Sequence, residues 1–459
     1  MTRTTTTRLR TVLGVVAIAL AATATAWVRL GPVTRGTGWA EDTGLFFREH
    51  LALGPLGSLF HPYAGYLHLV PRLVVDAAFA LPIDRYALSV SLVCCALVGV
   101  VCSALFVLAR DVVRPWPLRL VLAAVPVLLP SAPWEVTGNA ANLHTFALVL
   151  SPWLFAYRAR TRWGAALADV AAVLVTCTEI QAVLFLPLLV VPWLPLRQAG
   201  RVRLLALPVT LAALAGGAAQ VVTALTTVRT STPGDPHLVD VVAGYLFTVL
   251  GGIWSADVGA VGRAVVADGW VVLVVPAVLL LAVLVVATIC ARRRGRVLLV
   301  ALSVGSGVVW GAAMVANASA DAAWSSADPA VLTGATPSRY AAAAGLLLTS
   351  AVVVAAATLV DPGRRAARHP SGTVRLDRTG GAARAVRAGT GWLVVALVVT
   401  AWVGAVAPGP TTRDGGPEWQ PQFRAAMTAC RADPDRRTVL VRTVPWSARV
   451  PCTLVLRDG

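Results

Sequence analysis

Apolar runs of roughly 15–25 residues, each long enough to cross a bilayer as a helix, recur along almost the whole chain. That recurrence is the signature of an all-α polytopic membrane protein. Candidate spans cover 11–28, 87–109, 118–132, 143–157, 163–178, 181–196, 204–226, 271–291, 297–316, 340–360 and 391–408, about eleven transmembrane helices. Only 13% of residues are charged, against about 25% in a soluble domain, and mean hydropathy is +0.74. Residues 1–30 also have the basic start and apolar middle of a signal peptide. With ten further spans behind them, they are expected to stay as an uncleaved first span.

The net charge of +17 comes entirely from arginine, and there is no lysine. The arginines sit in short groups between spans, at 3–10, 110–119, 158–162, 197–203, 292–296 and 364–387. If the chain alternates through the spans, every group falls on one side, which the positive-inside rule makes cytoplasmic. Such placement is an orientation signal and excludes the continuous basic footprint of a nucleic-acid binder. The N-terminus is then cytoplasmic and the C-terminus extracytoplasmic, in a multi-pass plasma-membrane protein. The acids provide an independent check. Of 22, only Asp111, Asp361 and Asp377 fall in cytoplasmic loops, and Asp169 lies within a span; the other 18 face outward.

The expected organisation is a transmembrane domain over 1–408, with a first extracytoplasmic loop at 29–86 and a basic, disordered cytoplasmic linker at 361–390. A small β-rich extracytoplasmic appendage follows at 409–459. The stretch 241–254, Gly-rich and short, is expected to be re-entrant or interfacial. Cys94, Cys95, Cys102, Cys177 and Cys290 lie in spans, where free cysteine packs as a small hydrophobe. Cys430 and Cys452 share the tail, in an oxidising compartment by this topology. The alternation in "TVLVRTV" and "CTLVLR" predicts a hairpin that a disulfide between them closes.

Chemically interesting residues collect on the outer side. The first outer loop holds "WAEDTGLFF", with adjacent acids Glu41 and Asp42, then "HPYAGYLHLVPRL", with His68 and Arg72. Leu67, Val70, Leu73, Val74, Ala77, Ala78 and Leu81 follow helical spacing and predict an interfacial helix. Further outer segments carry Glu135, Asn142 and His144 in "PWEVTGNAANLHT", Glu179 in "CTEIQ", and Arg339 and Tyr340 in "TPSRY". Ionisable groups beside the hydrocarbon are costly and commonly line a substrate path. A carboxylate there suits removal of a proton from an incoming hydroxyl, and an arginine or histidine suits a departing phosphate. Arg72 has Asp76 at i+4 as an alternative partner. Arg339 stands where positive charge is unusual, which fits either a phosphate contact or snorkelling. Tyr63, Tyr66, Trp134 and Trp153 read as an aromatic belt.

The series "WAEDTGLFF…PYAGYLHLVPRL…NAANLH…RY" resembles actinobacterial integral membrane proteins of the GT-C class, the polyprenyl-phosphate-sugar-dependent glycosyltransferases related to mannosyl- and arabinosyltransferases. The resemblance covers the architecture of most of the chain, and its motif content is an acidic pair in the first outer loop. It implies a GT-C-like fold and transfer of a mannose- or arabinose-type sugar, usually with inversion. The acceptor would be an envelope glycan or lipid on the outer face. The catalytic or metal-binding acid would then be Asp42 or Glu41. Arg72, Arg339 and His68 would hold the donor phosphate, and Glu135, Asn142, His144, Glu179 and Tyr340 would line the pocket. The WWDYG-type signature of oligosaccharyltransferases is absent, which disfavours protein N-glycosylation. No further ligand cluster accompanies the acid pair, so base catalysis is expected without a required metal, a divalent cation remaining an option. Expected partners are the lipid-linked donor, the acceptor and membrane lipids. The alternatives are a transporter or flippase of a lipid-linked precursor, which would need polar groups through the bundle depth, and a non-catalytic assembly partner.

Overall fold

The computed structural model describes residues 3–194, 204–229, 231–320, 322–361 and 378–457. Among these, seven helices are long and apolar enough to cross a membrane. They are α1 (Leu9–Gly36), α2 (Ile83–Asp111), α3 (Leu207–Thr226), α4 (Val271–Cys290), α5 (Arg293–Ala316), α6 (Arg339–Val360) and α7 (Gly381–Val403). The chain is therefore a mostly helical, multi-pass membrane protein. Four of the eleven expected spans are shorter: Trp116–Leu128, Leu143–Phe155, Arg162–Thr176 and a 3-10 run over Ile180–Trp193. Proline accounts for three of these, because Pro126, Pro152, Pro187 and Pro192 each delete an amide donor that a longer helix would need. Among the described residues, seven of the eleven expected spans are thus long helices and the other four are shorter apolar ones.

α6 is the axis of the bundle. Its "AAAAGLLLTSAVVVAAATLV" is apolar all round, and nearly every residue is buried. The small alanines let α5 and α7 approach closely on either side. α1 packs along α2, and α3 packs against Arg162–Thr176. Outward faces stay apolar: Val274, Val278, Leu281 and Val285 form an exposed stripe on α4. In water such a stripe would be an aggregation liability; lipid is its natural solvent.

Hydrogen bonds sort the connecting segments into two ends. At one, Arg160 and Arg294 both meet Asp111, at 2.5 and 3.6 Å, and Arg110 donates to the Tyr157 hydroxyl at 3.0 Å. At the other, the first loop, the 130–142 turn, the 177–181 segment and the tail bind one another. Leu67 N–H donates to Gln220 Oε1 at 2.9 Å, Leu69 N–H to the Cys177 carbonyl at 3.0 Å, and Thr412 N–H to the Trp134 carbonyl at 2.9 Å. The arginine group at 197–203 lies outside the described residues. So does 362–377 of the basic linker; from Arg378 the chain is already helical and runs directly into α7.

The tail forms the expected hairpin, β1 (Thr438–Arg442) with β2 (Ser447–Pro451), antiparallel with Leu440 opposite Arg449. A helix at Trp419–Ala432 carries Cys430, which is disulfide-bonded to Cys452 just after β2. The 241–254 stretch belongs to a helix over Leu238–Trp254 with a π-helical middle. The first-loop helix forms at Leu69–Phe79, but its buried face is Pro71, Arg72, Val74, Val75 and Ala78, while Leu73 and Leu81 are exposed. The stripe read from the sequence is thus offset. Trp153 is buried in the core, away from any belt.

Candidate functional site

α1 is kinked where Gly31, at φ +69°, and Pro32 break its ladder, and at Gly36 the chain enters "GTGWAEDTGLFF". The tail fixes this segment: Ala40 N–H donates to the Val444 carbonyl at 2.8 Å, and Val444 N–H to the Gly38 carbonyl at 3.0 Å. From Asp42 it winds into a π-helical turn, Asp42–Phe46, that leads into Phe47–Leu59.

At the start of that turn the adjacent acids Glu41 and Asp42 face different surroundings. Asp42 is buried, and its Oδ2 and Oδ1 accept the N–H groups of Ala140 and Ala141, each at 2.8 Å. Its backbone carbonyl accepts the Tyr86 hydroxyl at 2.8 Å. Burial pushes its carboxyl up to about 7, Glu41 adds to the rise, and the two N–H groups and Arg413 oppose it. With both oxygens engaged, Asp42 braces the "NAANLH" turn against the first loop. Glu41 instead lines a cavity of about 410 Å³, and its Oε2 is buried without a hydrogen-bond partner among the described residues.

Seven of the residues singled out from sequence line that cavity: Glu41, His68, Asn142, His144, Glu179, Arg339 and Tyr340. Asp42, Arg72 and Glu135 do not. Glu135 stands behind the cavity wall. Its Oε2 accepts the Arg339 backbone N–H at 3.1 Å and its Oε1 the guanidinium Nη1 at 3.2 Å. Burial raises the Glu135 carboxyl, and Arg339 pulls it back. Arg72 is fully buried and pairs with Glu49 at 2.7 Å, over the Phe46 ring. Asp76, its expected i+4 partner, is taken by His50 at 2.6 Å. Arg72, expected as a phosphate ligand, thus stands outside this cavity and joins two first-loop helices.

His68 reaches the cavity in the wrong state to hold an anion. Its Nε2 lies 3.2 Å from the Tyr63 carbonyl, which only accepts, so that nitrogen carries the proton. Nδ1 is left bare and unpartnered. Burial pushes the imidazole well below its ordinary value, and His144 and Arg72 push the same way. A neutral ring with an acceptor nitrogen suits a hydroxyl better than a phosphate. His144 Nδ1 meets Glu179 Oε2 at 2.5 Å, and Glu179 Oε1 accepts the Gln181 N–H at 2.6 Å, opening the 3-10 run.

Sequence reasoning missed part of the lining. Tyr63 and Tyr66, read as belt aromatics, face the cavity, and Glu41 lies within electrostatic reach of the Tyr63 hydroxyl. Burial, with Glu41 beside it, pushes the Tyr63 hydroxyl up to about 12. Arg229 lines the opposite wall, where it donates to Asn317 Oδ1 at 3.2 Å. The signal for Arg229 was the one that marked Arg339, an isolated arginine on the side where arginine is scarce. Comparisons with protein-family models, curated proteins and solved structures gave no match for this chain. Among the described residues no three His, Cys, Asp or Glu side chains converge on a metal position. Each Asp42 oxygen already accepts one backbone N–H.

Proposed function

We propose that the chain is a glycosyltransferase that moves a sugar from a polyprenyl-phosphate donor to a cell-envelope glycan or lipid acceptor. The observation that carries this reading is one cavity of about 410 Å³ holding both an unpartnered Glu41 carboxylate oxygen and the Arg339 guanidinium. That volume is ordinary for a small-molecule site. Glu41, and not Asp42, takes the acceptor hydroxyl proton. The freed oxygen attacks the anomeric carbon, and the bond from that carbon to the phosphate oxygen breaks with its electrons going to the phosphate. Arg339, assisted by Arg229, offsets the charge that builds there. A single displacement of this kind inverts the anomeric centre. The arginine distribution orients this end away from the cytoplasm, and labelling of a cysteine introduced at the rim tests that orientation.

Apolar lining supports a lipid-linked donor: Leu148, Val309, Ala313 and Ala343 share the cavity with the charged groups. A transporter would need polar groups continuing through the bundle. Between this end and the Asp111 cluster the buried side chains are mostly apolar, among them Val149, Leu302, Leu347 and Val353, and the hydroxyls of Ser151, Ser306, Thr349 and Ser350 are turned onto backbone carbonyls. The test is transfer by purified protein from a polyprenyl-phosphate sugar. Glu41→Gln is expected to lose at least about a hundredfold in kcat, with Asp42→Asn impaired through folding. Undiminished turnover in Glu41→Gln removes the base and leaves the non-catalytic reading standing.

A further inference from the structure

A second cleft, of about 760 Å³, lies between the first loop and the tail hairpin. Gly44 and Leu45, three and four residues beyond Glu41, form its floor, and Arg48 one flank. The other flank comes from the hairpin: Leu440 and Arg442 on β1 and Trp446 in the turn. The strand alternation explains why these side chains point into it. Val439 and Val441 are buried, which turns Leu440 and Arg442 outward.

Trp446 is seated by design of the sequence beneath it. A Cβ at Gly44 would stand 2.7 Å from the indole Cε3, so the ring rests directly on glycine backbone. Even so, 45% of Trp446 is exposed. No acid lines the cleft, and neither Arg48 nor Arg442 has a carboxylate partner among the described residues. An open indole face suits the C–H face of a sugar ring, and two uncompensated guanidinium groups suit carboxylate or phosphate on that sugar. We propose that this cleft binds an anionic saccharide, the acceptor chain, and that Trp446 is its stacking platform. The saccharide class rests on the transfer reading above; the negative charge rests on the arginines alone. Two arginines without carboxylate partners beside an open indole fit a charged saccharide better than a bilayer surface, which calls for a broader apolar face.

The experiment is calorimetric titration of the full chain in neutral detergent with a hexamer of galacturonic acid and with a neutral glucose hexamer. The acidic hexamer is expected to bind at least about tenfold more tightly, with an affinity that falls as salt rises. Trp446→Ala should weaken it by at least about tenfold, as loss of an aromatic anchor does. Arg48→Gln combined with Arg442→Gln should abolish the preference for the acidic ligand. These side chains are exposed, and an unchanged thermal midpoint checks that the variants remain folded. The cleft proposal is overturned by equal binding of the two hexamers, by no binding of either, or by binding that survives both sets of substitutions. It is equally overturned if only anionic vesicles engage Trp446. Glu41→Gln should bind the acidic hexamer like the parent chain. Transfer that persists in Glu41→Gln overturns the base and leaves the cleft intact; lost transfer with no hexamer binding does the reverse.

Discussion

Glu135 holds Arg339 at two points, taking its backbone N–H at 3.1 Å and its guanidinium Nη1 at 3.2 Å. The acid thus fixes both where α6 begins and where its first side chain points. Glu135→Gln keeps the shape and removes the charge. Arg339 is partly exposed, so screening limits the stability loss to about 1 kcal/mol. The larger expected effect is on ligand: affinity for a polyprenyl phosphate, read by titration, should weaken about tenfold because the guanidinium is no longer aimed. An unchanged affinity would separate Arg339 from phosphate binding.

Asp42 should give the protein a distinctive acid-side stability profile. Its folded carboxyl titrates at about 7, above the ordinary 3.8. Between those values the folded state holds a proton that the unfolded state lacks. The associated stability is therefore complete below about pH 4, declines as pH rises toward 7, and is gone above it. Thermal midpoints from pH 4 to 8 should show that decline in the parent chain. Asp42→Asn should flatten it while lowering the whole curve, since an amide cannot accept from both Ala140 and Ala141.

Arg413 is fully buried and joins three segments: it donates to the Thr37 carbonyl at 3.2 Å and the Thr137 carbonyl at 3.0 Å, with Asp42 within electrostatic reach. Arg413→Gln should cost about 3 kcal/mol, because two charge-assisted hydrogen bonds are lost. It should also raise the Asp42 titration further by removing the nearest positive charge. Both effects are visible in the same pH series of melting curves, and a variant as stable as the parent would refute the clamp.

Gly99 lets α1 and α2 touch. A Cβ there would collide with the Ala19 carbonyl and the Thr23 hydroxyl. Gly99→Ala should lower the thermal midpoint, at a cost of about 1–3 kcal/mol from forced separation of the pair. Alanine at Gly14, where nothing lies within 4 Å, should be neutral and serves as the control.

Much of the architecture was readable because apolar length and arginine placement are local properties. Every expected span coincides with a helical element, and the segments expected on one side do gather at one end. The disulfide-closed hairpin was readable too, from strand alternation and paired cysteines. Helix lengths were less so, because hydropathy does not register the amides that Pro126, Pro152 and Pro187 remove. The division of labour between Glu41 and Asp42 was invisible: adjacent residues on a helical turn face different ways, and the donors that engage Asp42 come from Ala140 and Ala141, about a hundred positions away. Arg72 misled for the same reason, since Glu49 outcompetes Asp76 from the neighbouring helix.

The pairing of Val444 with Gly38 and Ala40 joins residues about four hundred positions apart. The stretch that presents Glu41 is therefore held by a strand turn that no local folding can supply, and loosening the hairpin alone should set it free.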